Sequence, residues 1–162
     1  MNRKCLSWTL LFVLTLSLRA GAEDTQIKGS DLKGFMPASA TVDAFLKAMV
    51  ESDLEAVMKT VDVPWFHDGR KIVESEDELR DLFRQPTDEK KLAGLQAEIK
   101  EVQLFEAVRE KSTGTSGELL KSIAKDDDLV FIISTKIGTK SDEVLLLVRV
   151  KNDGAKIIGL RN

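Results

Sequence analysis

Residues 129–160 read LVFIISTKI (Leu129–Ile137), GTKSD (Gly138–Asp142), EVLLLVRVK (Glu143–Lys151), NDG (Asn152–Gly154) and, after Ala155, KIIGL (Lys156–Leu160). Three runs of β-branched and long aliphatic residues alternate with short turn-forming clusters. Branched side chains suit a pleated surface, and Gly, Asn and Asp supply the reversals. The pattern predicts three strands joined as hairpins. In the middle run Val144, Leu146, Val148 and Val150 share one face, and Leu145, Leu147 and Arg149 share the other. The second face is too apolar over its first half to meet water. It is expected to line a pocket or to contact another subunit.

Working back from this β region, the periodicity changes. From near Thr41, the residues Val42, Phe45, Leu46, Met49 and Val50 form one stripe at helical spacing. Ser52 to Glu55 has the capping-box form and opens a second helix with Leu54, Val57, Met58 and Val61 on one side, stopping before Pro64. Val63–His67 reads as a short strand with Pro64 near its edge. Asp68-Gly69 is a hairpin turn, since both types tolerate positive φ, and Arg70–Glu74 is the returning strand. Ser75 to Glu78 is another capping box, opening a helix that Pro86 ends. Thr87–Leu95 reads as a charged loop, Glu98–Arg109 as extended, Lys111–Gly117 as a loop and Glu118–Lys125 as a short helix. Helices gathered on one face of an antiparallel sheet make an α+β domain. It is assigned to residues 40–162. Residues 23–39, polar and carrying Gly29, Gly34 and Pro37, read as a flexible leader.

Residues 1–22 have a different character. Arg3 and Lys4 form a basic head, Leu6–Leu18 an apolar core and Ala20-Gly21-Ala22 a small-residue cleavage site. This is the organisation of a signal peptide. At about 1.5 Å per helical residue the core reaches roughly 20 Å, short of a hydrocarbon layer of about 30 Å. The expected protein is exported, periplasmic or extracellular, and has no membrane segment once the signal is removed. Cleavage would take Arg3, Lys4 and Arg19 and no acid, leaving 21 basic and 27 acidic residues, a formal charge of −6. An acidic chain without a basic run does not suit nucleic acid, whose affinity rests on phosphate neutralisation. Cys5 leaves with the signal, so the remaining domain has no thiol and must rely on a hydrophobic core.

The helical pair Thr41–Val61, the stretch Val63-Pro64-Trp65-Phe66-His67-Asp68-Gly69-Arg70, the capped helix Ser75–Arg84 and the closing strands from Leu129 together resemble the NTF2-like superfamily, the cystatin-like cone of SnoaL-type proteins and ketosteroid isomerases. The resemblance spans Ala40–Leu160. It implies a curved sheet wrapped around the long helix, with a cone-shaped cavity at one end. The superfamily contains isomerases, dehydratases, cyclases, transport proteins and binding modules, so fold alone does not assign an activity. The isomerase branch uses a Tyr donor in its oxyanion hole. This chain has no Tyr, so none of that branch's catalytic residues is carried over.

His67 is the only His, and a pocket His can act as acid or base near neutral pH, with Asp68 to orient it. The competing explanation is structural: Asp68 is chosen for its turn and His67 ends an edge strand. Trp65, on the same strand face as His67, is a candidate to stack on a ligand or to pack in the core, with Phe66 facing the other way. Arg149 could pair with an anionic ligand if its face lines the cavity, and otherwise is a solvated strand end or an interface ion pair, the favoured structural reading. Glu106, Arg109 and Lys151 read as charged strand residues. Asp126-Asp127-Asp128 lacks the Gly and distal Glu of a calcium loop and reads as a solvated turn. No metal site and no cofactor are expected. The expected function is a non-catalytic binding or scaffold module for a small molecule or a protein. The alternatives are a cofactor-free enzyme using His67 and Asp68 in the cone, and a homodimer through a sheet face.

Overall fold

The computed structural model describes residues 27–152 and 154–162. The signal-peptide reading of residues 1–22 lies outside them, as do the first four residues of the expected leader. In chain order the elements are α1 (Phe35–Glu51), α2 (Leu54–Thr60), β1 (Val61–His67), β2 (Lys71–Val73), α3 (Glu76–Asp88), β3 (Gln96–Leu104), α4 (Phe105–Arg109), α5 (Gly114–Ile123), β4 (Leu129–Ile137), β5 (Lys140–Lys151) and β6 (Gly154–Arg161). The six strands form one sheet in the order β2-β1-β6-β5-β4-β3. The ladder from β3 to β6 is antiparallel throughout; the turn-separated runs predict this for β4, β5 and β6, while β3 joins β4 across the α4–α5 segment. β1 and β6 pair parallel, so the sheet is mixed rather than wholly antiparallel. That pairing puts β1 inside the sheet, between β2 and β6, and corrects the reading of an edge strand. Pro64 cannot donate to a ladder, and it lies where the β1–β6 register slips between Val61 and Phe66, ahead of the three residues that pair with β2.

The apolar stripe of α1 faces the sheet: Val42, Phe45, Ala48 and Met49 are buried. The helix starts at Phe35, six residues before Thr41. Pro37 is no obstacle, because it sits in the first turn, where an amide would have no partner inside the helix. Phe35 is buried and stacks on Phe131 with ring centroids 6.2 Å apart. Before it, the Val102 amide donates to the Lys28 carbonyl at 2.8 Å. Gly29 has φ +87°, and a Cβ there would lie 1.9 Å from the Val102 carbonyl oxygen, so only Gly fits. Over residues 27–39 the flexible-leader reading is therefore corrected. The Gly and Pro residues that suggested looseness form a turn and a helix start against β3.

Other boundaries shift for local reasons. Ser52 ends α1 in the left-handed region, so Asp53 caps α2, its Oδ1 accepting from the Ala56 amide at 2.9 Å. Ser75 caps α3 as predicted, accepting from the Glu78 amide at 3.3 Å, while the Glu78 carboxylate turns to Lys71 at 2.8 Å. α3 continues past Pro86 to Asp88. Thr87 is buried there and donates its hydroxyl to the Phe83 and Arg84 carbonyls. β3 stops at Leu104, because Phe105 must fold beneath the sheet, where it is fully buried. Glu106 and Arg109 consequently lie on a helix and not on a strand. α5 begins at Gly114, earlier than the expected Glu118.

Two cores result. On the front face, α1, α2 and α3 pack on Trp65, Val73, Val102, Phe131, Ile133, Leu146, Val148 and Ile157. On the back face, Phe105, Val108, Leu120 and Ala124 of the α4–α5 segment pack on Val130, Leu147 and Ile158. Strand alternation therefore divides β5 as the sequence indicated, with Val144, Leu146 and Val148 in front and Leu147 behind, but the back face is covered by α4 and α5 of the same chain, which corrects the expectation that its apolar residues line the pocket or meet another subunit.

Candidate functional site

At one end of the front face the helices and the sheet do not close. Phe45, Leu46 and Met49 from α1, Phe83 from α3 and Leu92 and Leu95 from the following loop form one wall. Ile133, Val144, Leu146 and Leu160 form the sheet floor. They enclose a cavity of about 710 Å³. The polar lining comes from a single quarter: Thr135, Lys140, Ser141 and Asp142 on the β4–β5 hairpin, joined by Asn162. Lys140, Ser141, Asp142 and Asn162 are all exposed, so they form a lip above an apolar interior. The lip arises because Ile137 and Lys140 pair as the closing rung of a long hairpin that runs past the end of the helices. Phe45 and Phe83 meet edge to face at 5.8 Å, and Trp65 meets Phe83 edge to face at 5.2 Å from behind.

Trp65 itself does not line the cavity. It is fully buried in the front core, and its Nε1 has no hydrogen-bond partner among the described residues. His67 lies two residues on, half-buried, with a buried Nδ1 that has no partner among the described residues, and it too stands outside the cavity lining. Burial holds the His67 pKa below its ordinary value. Lys71 and Arg70 push the same way, and Asp68 opposes them. Asp68 has φ 48° and Gly69 φ 71°, the left-handed pair expected of the turn. The Asp68 carboxylate accepts from the Asn162 amide at 3.3 Å and pairs with Arg70 at 3.3 Å. His67 and Asp68 are thus neighbours in sequence whose side chains are engaged separately, and the structure does not assemble them into a dyad at the cavity.

Arg149 is on the back face, away from the cavity. Its Nε donates to Asp128 Oδ1 at 3.0 Å, and its Nη2 donates to Asp128 Oδ2 at 2.6 Å and to the Ile123 carbonyl at 2.7 Å. Asp128 is 2% exposed and also accepts from the Lys125 amide at 2.8 Å. This planar clamp satisfies the end of α5 and ties it to β5, so of the two readings of Arg149 the structure shows the structural ion pair and not a ligand contact in the cavity. Asp128 is accordingly a structural acid rather than part of a solvated turn. Asp126 pairs with Arg109, and Lys151 pairs with Asp62. Burial raises the Asp62 carboxyl, but the Lys151 hydrogen bond and the Val63 amide outweigh it and hold the pKa below the usual value.

The cavity residues were visible in the sequence only as core positions. Phe45, Met49 and Leu146 look like any apolar stripe. The one local signal is Thr135 between Ile133 and Ile137 on the front face of β4, a polar residue where continuous packing would call for another aliphatic.

No known family model matches the chain, and no curated protein matches it. Solved structures do. A ketosteroid isomerase-like protein from Erwinia carotovora atroseptica SCRI1043 superposes with a TM-score of 0.50 at 17% identity, over 78% of this chain and 92% of that one. A protein of unknown function with a cystatin-like fold from Nostoc punctiforme PCC 73102 does so with a TM-score of 0.50 at 14% identity, over 80% and 91%. At these identities the likeness is one of fold. The chain has the NTF2-like, cystatin-type cone, with the open end of the cone as its cavity.

Proposed function

We propose that this protein is an exported, non-catalytic binding module that holds a small apolar molecule in the cone. The observation that carries the reading is the cavity of about 710 Å³, apolar within and polar only at its lip. Its size falls in the range of small-molecule sites, about 300–1,000 Å³, and its apolar lining gives a ligand most of its affinity through burial. Neither His67 nor Asp68 faces it, so proton-transfer chemistry by that pair has no place to act. The export half of the reading rests on the sequence of residues 1–22.

The test is titration of the chain from Glu23 onward with the neutral fluorophore N-phenyl-1-naphthylamine. Trp65 is the only Trp in that chain and touches the cavity wall through Phe83, so energy transfer from it reports occupancy. Saturable transfer is expected. In Val144→Phe, which places a ring in the cavity, affinity should fall about tenfold or more, a loss of about 1.4 kcal/mol. Non-saturable binding, or binding indifferent to Val144→Phe, would refute the module. Export is checked separately, by fractionating the producing cells and sequencing the processed N-terminus, which should begin at Glu23.

A further inference from the structure

We infer that the cone takes an uncharged amphiphile, apolar end inward, with its polar end held at the lip formed by Thr135, Lys140, Ser141, Asp142 and Asn162. The inference rests on the binding reading above and names the ligand chemistry. Two features of the lining carry it. First, among the described residues the interior wall offers no charged and no hydrogen-bonding side chain below the lip. A polar end carried inward would lose its water and gain no partner, at a cost of about 2–7 kcal/mol, and a charged end would lose far more. The polar end must therefore stay at the mouth. Second, the two charged side chains at the mouth have opposite signs. Lys140 and Asp142 face it together, and no ion pair engages Lys140 among the described residues. Any ionic head would meet one like-charged side chain for each oppositely charged one.

Neutral hydrogen-bonding heads suit the remaining groups. The Ser141 hydroxyl makes no hydrogen bond within the described chain. Thr135 donates to the Asp142 carbonyl at 3.3 Å and keeps its acceptor positions free. One Asp142 oxygen accepts from the Glu143 amide at 2.9 Å, leaving the other for a donor on the ligand. An alcohol or a primary amide head can use donors and acceptors alike here. A carboxylate, which only accepts, and a quaternary ammonium, which does neither, cannot. The soft Met49 and the Phe45–Phe83 pair at the base fit an aliphatic or ring-bearing body without dictating its shape.

The experiment is displacement of bound N-phenyl-1-naphthylamine by three probes of equal chain length: 1-dodecanol, dodecanoate and dodecyltrimethylammonium. Dodecanol should displace at about tenfold lower concentration than either ion. Asp142→Lys, an exposed substitution that makes the lip cationic, should narrow the gap between dodecanoate and dodecanol by about fivefold or more. Lys140→Glu should do the same for the ammonium probe. If dodecanoate or the ammonium competes as well as dodecanol in the unaltered protein, the inference is wrong while the binding module stands. If the charge reversals leave both ratios unchanged, the head is not at the lip and the inference is equally overturned. If the fluorophore itself does not bind, the binding module has failed first.

Discussion

Strand β5 serves both faces of the sheet with alternate residues, and the two faces are finished in different ways. In front, Val144 and Leu146 look into a cavity of about 710 Å³ that the helices leave open. Behind, Leu147 is sealed beneath α4 and α5, where only a slot of about 110 Å³ remains, and the Arg149–Asp128 clamp fixes the seal. Neighbouring Leu residues with the same chemistry thus have different tasks. The lesson is that an apolar face does not declare its purpose. What matters is whether the element opposite it is long enough and tied down well enough to exclude everything else.

The largest test of this asymmetry is at the clamp. Asp128→Ala leaves a guanidinium that is only 17% exposed without its counter-ion, and it should cost about 3–5 kcal/mol in urea unfolding. Asp126→Ala, on the exposed neighbouring pair, should stay within about 0.5 kcal/mol. Equal costs would mean that the back face is not held by the clamp. Next comes packing itself. Leu147→Ala opens a hole in a closed region and should cost about 2–5 kcal/mol, whereas Val144→Phe grows into existing space and should cost under about 1.5 kcal/mol. The reverse ranking would exchange the roles of the two faces. A smaller effect is expected at Gly159, where a Cβ would come within 2.9 Å of the Phe66 Cβ on the back face. Gly159→Ala should cost about 1–3 kcal/mol, measured in the same way.

The smallest effect is one of pH. His67 has a folded pKa below the ordinary 6.5 because burial disfavours its cation. Above that ordinary value His67 is neutral in both states and contributes no slope. As pH falls from there through the depressed folded pKa, the unfolded chain takes up a proton that the folded chain refuses, so stability is lost. Below the folded pKa the loss levels off. His67→Gln removes this contribution, and its urea midpoint should fall less than that of the unaltered protein between about pH 7.5 and about pH 5. An identical fall in both proteins would place the acid sensitivity elsewhere.

How much of this was readable in the chain can be judged residue by residue. The 3.6-residue stripe of α1 and the alternation of β5 were legible, because local periodicity dictates which side chains share a face. The Ser75 cap and the Asp68-Gly69 turn were legible because their chemistry is contained within four residues. The parallel partner of β1 was not, since nothing local to Val61–His67 records which distant strand arrives beside it. Nor was the role of Arg149. A lone cation on a strand looks the same whether it awaits a ligand or a carboxylate 21 residues away. The cavity was hidden for a related reason. It depends on where α1 and α3 end relative to a hairpin far along the chain, a difference in reach that composition does not carry.

The parallel contact between β1 and β6 has a consequence during synthesis. Until the eight-residue β6 has emerged, β1 has only the three-residue β2 to pair with. Burial of the Trp65 side of the molecule must wait for residues more than ninety positions later, a slow, non-local closure. A nascent chain cannot complete the sheet around β1 until β6 has been made. For a protein that the proposed export would thread through a membrane before folding, β6 acts as a timer.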